Sequence, residues 1–111
     1  VRQDKDDERN IMSDPLDNLP DDVAAAAFRR LVRHLRHRRD AQNIDLMGLA
    51  GFCRNCLADW IIDAGYPGDK PAAREVIHGM PAKEWKDRFQ TEATPEQLAR
   101  MEASVARNHG D

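Results

Sequence analysis

Two cysteines are too few to staple a chain of 111 residues, so no disulfide framework is expected, and a reduced, cytoplasmic setting is. Aromatic residues make up 5 % of the chain and alternating β-branched runs are missing, which argues against a sheet protein. No apolar run is long enough to span a membrane, and no secretory leader is expected. The sequence begins at Val1, which leaves the true N-terminus open. Serine occurs only at Ser13 and Ser104, so serine-nucleophile chemistry has no natural place. Phosphate-binding loops, dinucleotide fingerprints, nucleophile elbows and the paired-histidine zinc motif of metalloproteases are all lacking. An enzyme is therefore the less favoured reading.

What is plentiful is helix-forming sequence: Ala, Leu, Arg, Glu and Gln recur throughout the chain after its first twenty residues. The expected fold class is all-α, an irregular array of about five helices around a central apolar one. Residues 1–21 read as an acidic, disordered tail and residues 22–108 as a single helical domain with a small core. The net charge of −3 conceals an asymmetry. Residues 1–22 carry eight acids against three bases, and residues 23–40 carry six arginines against Asp40. The first helix, expected from about Asp22 to Arg38, sets Ala24, Ala27, Phe28, Leu31, Val32 and Leu35 on one face and Arg29, Arg30, Arg33 and His37 on the other. With no interleaved aromatics, this face offers no platform for bases, and nucleic acid is not expected as a partner. Arg29, Arg30, Arg33 and Arg36 are instead candidates for binding an acidic protein partner.

The second helix is expected to run unbroken from Ile44 or Asp45 to Gly65. It would place Leu46, Leu49, Cys53, Cys56 and Trp60 on one inward stripe, with Gly48 and Gly51 admitting a neighbouring helix closely. On that phase Cys53 lies two turns inside the helix, away from the terminus where redox thiols are activated, so both cysteines read first as packing residues. The alternative is a divalent metal held by Cys53, Cys56 and His34, with His37 completing a zinc quartet. Helical phase puts His34 about 80° and His37 about 140° from the buried centre of the first helix, which weakens that set. Asp59 and Asp63, one turn apart, read as a solvated face before they read as a cation site. Arg54 and Asn55 interrupt the apolar helix. Arg54 is expected to reach solvent or pair with Glu75 or Glu84, and both residues are candidates for partner binding.

Pro71–His78 is expected as a third helix stopped by Gly79, with His78 favoured at the negative end of the dipole and a general acid or base as its alternative role. A fourth helix, about Pro81–Gln90, turns Trp85 and Phe89 inward. Thr94-Pro95-Glu96-Gln97 is a capping box opening a fifth.

The blocks AFRRLVRHLR, QNIDLMGLAGFCRNCLADW, AREVIHGMPAKEWK and EATPEQLA resemble a family of short bacterial proteins known as domain of unknown function 1244, from about Ala26 to Glu102. The resemblance implies a small multi-helical cytosolic protein and brings no activity, cofactor or site residue with it. Departures from the family pattern are Ile61 in place of a tyrosine, a shorter Gly65–Gly68 segment, and His37. The function read from the residues is a small non-enzymatic module that binds a protein partner or itself. The alternative is a metal- or thiol-dependent site at the Cys-x-x-Cys pair.

Overall fold

The computed structural model describes residues 14–109, so most of the expected tail lies outside the described residues. Six helices follow one another: α1 Asp21–His37, α2 Asn43–Ala50, α3 Arg54–Asp63, α4 Lys70–His78, α5 Ala82–Phe89 and α6 Pro95–Asn108. Among the described residues there is no strand, and the fold is all-α. No helix among them is long and apolar enough to cross a membrane. The described chain falls into two units, one up to Leu31 and one from Val32 onward.

In the first unit, the Asp14 carboxylate accepts from the Leu16 backbone N–H at 2.9 Å, a side-chain turn that precedes α1. Asp21 and Asp22 occupy the first turn of α1, where carboxylates complement the positive end of the helix. Phe28 is half-buried, while Val23 and Leu31 are exposed.

The second unit has its core in Val32, Leu35, Cys53, Leu57, Ala58, Ala73, Ile77 and Trp85. Helix α2 packs on α6, α3 on α4, and α4 on α5. The close approach expected at Gly48 is made by α6: a Cβ there would stand 3.1 Å from Arg100 Cγ. Caps define the helix starts. Asp69 accepts from the Ala72 N–H at 3.0 Å, and Thr94 and Gln97 form the reciprocal pair expected of a capping box. Gly79, at φ 80°, ends α4 in the left-handed conformation. Buried Gln42 ties the start of α2 to the end of α5, donating to Phe89 O at 2.8 Å and accepting from the Thr91 N–H at 3.0 Å.

The expected long second helix is broken. Gly51 adopts φ 78° and closes α2, and the chain runs extended through Cys53 before α3 begins at Arg54. The break is locked from α6: Asn108 donates to Gly51 O at 2.9 Å, and a Cβ on Gly51 would lie 2.4 Å from Asn108 Oδ1. Once the helix is interrupted, the inward stripe of Leu46, Leu49, Cys53, Cys56 and Trp60 no longer exists. Cys53 is buried, but Leu49 is 81 % exposed and Trp60 52 % exposed. The break makes six helices, among the described residues, of the about five expected.

Candidate functional site

The break carries the chemistry to the start of α3. Cys53 is the residue that caps this helix, with φ −142° and ψ −174°, and Cys56 lies in its first turn. The expectation that Cys53 sits two turns inside a helix is therefore corrected: the pair flanks a positive helix end, as thiol-active pairs do. Both thiols are free, Cys53 buried and Cys56 half-buried. Burial pushes the Cys53 thiol pKa up, while the backbone N–H groups of Cys56 and Asn55 pull the other way. The net direction is upward, so Cys53 stays a neutral thiol near pH 7 and packs as a small apolar residue. Cys56 Sγ lies 4.0 Å from Met47 Sδ, across the break.

Arg54, the first residue of α3, is buried and binds no carboxylate. Its guanidinium donates to Ala41 O at 2.8 Å, Arg38 O at 2.8 Å, Leu35 O at 3.1 Å and Asn43 Oδ1 at 3.0 Å. Leu35 and Arg38 belong to the last turn and exit of α1, where backbone carbonyls lack helical partners and carry partial negative charge. A cation is thus buried against a helix dipole rather than a counter-ion. The expectation of a pairing with Glu75 or Glu84, or of a surface role in partner binding, does not fit this position. Trp85 closes the cage, with the Arg54 guanidinium 5.0 Å from its ring centroid.

Arg36 repeats the device on α4, donating to the carbonyls of Val76 and Ile77 at that helix's C-terminus. It is a capping residue, while Arg29, Arg30 and Arg33 are exposed as expected. His78 is buried at the end of α4, with Nδ1 2.9 Å from Arg74 O and its ring 5.2 Å from Trp85 in an edge arrangement. Facing a carbonyl, Nδ1 must carry the proton, so the neutral ring keeps an unprotonated Nε2. Burial pushes the His78 pKa down; the Arg74 carbonyl opposes this, and the charges of Arg54 and Arg74 add to it.

Around this framework lies a cleft of about 340 Å³, lined by residues of α2, α3, α4 and α5. Asn55, Arg74, His78, Lys83 and Lys86 supply most of its polar wall, and Trp85 its apolar part. Two wall residues hold buried polar atoms without a partner, Asn55 Oδ1 and Arg74 Nε. Sequence reasoning placed Asn55 and His78 among the candidates and missed Arg74, Lys83 and Lys86. The legible signal was Arg54 itself, a cation in an apolar run that demands an acceptor cage and so draws other segments around it.

The candidate metal ligands are not brought together. His34 and His37 are exposed on α1, and among the described residues no three His, Cys, Asp or Glu side chains form a group that could hold a metal ion. Asp59 instead lies 3.7 Å from Lys70 at the surface. A second feature is an apolar corner between α2 and α3: the exposed Trp60 ring stacks on half-buried Phe52 at 5.8 Å and 25°, and Leu49 stands open at the end of α2.

A family model described as Protein of unknown function (DUF1244) matches residues 41–103. No curated protein matches the chain.

Proposed function

Because the chain belongs to the DUF1244 family, proteins of unknown function, its role has to be read from its own surface, and we propose a non-enzymatic docking module that pairs with a second copy of itself through the α2–α3 corner. The observation that carries this is Trp60, 52 % exposed and stacked on Phe52. Tryptophan is among the residues that supply most of the affinity at protein interfaces, and an exposed aromatic stack is costly to leave in water. The size of the core favours a second copy as the occupant. Among the described residues eight apolar side chains are buried, of which two are alanines and one is a cysteine. Small domains with so little buried apolar surface commonly gain stability by oligomerising. A two-fold pair needs only one self-complementary face, and a flat aromatic stack meets that need.

Fluorescence provides the test. Trp85 is 2 % exposed and shielded from a dissolved quencher, so acrylamide quenching reports on Trp60. Quenching should fall as protein concentration rises and Trp60 becomes covered. Quenching that is independent of concentration up to the solubility limit contradicts the reading.

A thiol-dependent role is the second reading, favoured by the position of Cys53 at the start of α3. Burial weighs against it. Under the docking reading an alkylating reagent labels native Cys53 far more slowly than a peptide thiol. Equal rates would shift the balance to thiol chemistry.

A further inference from the structure

We propose that the cleft bounded by α2, α3, α4 and α5 binds a small phosphate monoester that also carries a hydroxyl group, a site separate from the docking corner and independent of it. Three of the lining residues are cationic (Arg74, Lys83 and Lys86), and none is acidic. Lys83 shares part of its charge with Asp87 at 3.3 Å, an exposed pair that water screens. Behind the wall, Arg54 adds a buried positive charge whose hydrogen-bond partners are all neutral oxygens. The potential in the cleft is therefore positive and selects an anion.

The donors narrow the anion. Three cations around one small volume suit a dianion better than a monocarboxylate, and a guanidinium fork fits a tetrahedral oxyanion. Arg74 Nε is buried without an acceptor, and Asn55 Oδ1 is buried without a donor. Both residues line the cleft, and once their side chains turn toward it a ligand offering an anionic oxygen and a hydroxyl supplies what each lacks, since buried polar groups are seldom left unmatched. The volume of about 340 Å³ is near the lower end for ligand sites and suits a short polyol phosphate. Trp85 is 2 % exposed, so the cleft has no open aromatic platform for a stacked base.

Titration calorimetry on the full chain tests this with three probes: glycerol phosphate, inorganic phosphate and glycerol. Glycerol phosphate should bind saturably at one site and more tightly than inorganic phosphate, and glycerol should not bind. Lys86→Gln and Arg74→Gln should each weaken the ester about tenfold, the scale of one charge-assisted hydrogen bond, while Arg30→Gln on α1 should not. Lys86 is exposed, so its variant keeps the fold, and an unchanged circular dichroism spectrum confirms it. The site is refuted if the ester shows no saturable binding, or if folded Lys86→Gln binds it as tightly as the native chain. Equal affinity for the ester and inorganic phosphate would overturn the hydroxyl requirement.

Discussion

Arg54 takes a full positive charge into the interior with 1 % of its surface exposed, and what holds it there is a set of oxygens without formal charge. Replacing it with Ala removes the guanidinium donors of the Leu35, Arg38 and Ala41 carbonyls and of Asn43 Oδ1, of which Arg38 O and Asn43 Oδ1 keep a backbone N–H, and opens a cavity beside Trp85. Urea denaturation should show a loss of about 3 kcal/mol or more. Lysine cannot restore the cage, because it lacks the planar fork that reaches several acceptors at once. At His78 the outcome depends on pH. The folded-state pKa is depressed below the unfolded value of about 6.5, so the unfolded chain binds more protons between the two. The contribution is present in full above the unfolded pKa and is lost as pH falls through that window. The thermal midpoint should therefore drop as pH falls below about 6.5, and His78→Gln should flatten that drop. Asp40, whose pKa its hydrogen bond with Arg38 lowers to about 2, titrates below the window and does not confuse the reading.

Among the elements, Gly51 decides the most. As the left-handed end of α2 it creates the start of α3, and with it the positions of Cys53, Arg54 and Asn55. Gly51→Ala should destabilise by about 1–2 kcal/mol, since alanine is strained at this φ and its Cβ would meet Asn108. Thr94→Ala should cost about 1 kcal/mol through loss of the α6 cap. The helix class, the first helix, the glycine stop after His78 and the capping box at Thr94 were all legible, because each rests on local signals: periodicity, a left-handed residue, a side chain bonding its own helix. The break at Gly51 was not. Leu46, Leu49, Cys53, Cys56 and Trp60 keep a convincing helical stripe on paper, and the Asn108 bond to Gly51 O that holds the interruption comes from a segment distant in sequence. The cleft was illegible for the same reason. Its wall is assembled from four helices whose order in space follows from that break, whereas the thiol pair, being local, was visible at once.

At the scale of the molecule, Leu49 and Trp60 are large apolar side chains left exposed among the described residues. Covering them is what a second copy would do. Charge reversal on α1, with Arg30→Glu and Arg33→Glu together, should leave the fold and the self-association intact, because the docking corner lies on α2 and α3; sedimentation velocity of the variant checks both. The central claim is tested most directly by sedimentation equilibrium of the native chain beside Trp60→Glu. The account predicts a mass that rises with concentration toward that of two chains for the native protein, and a single-chain mass at every concentration for a normally folded Trp60→Glu. A native protein that keeps the single-chain mass throughout, or a folded variant that still pairs, would contradict it.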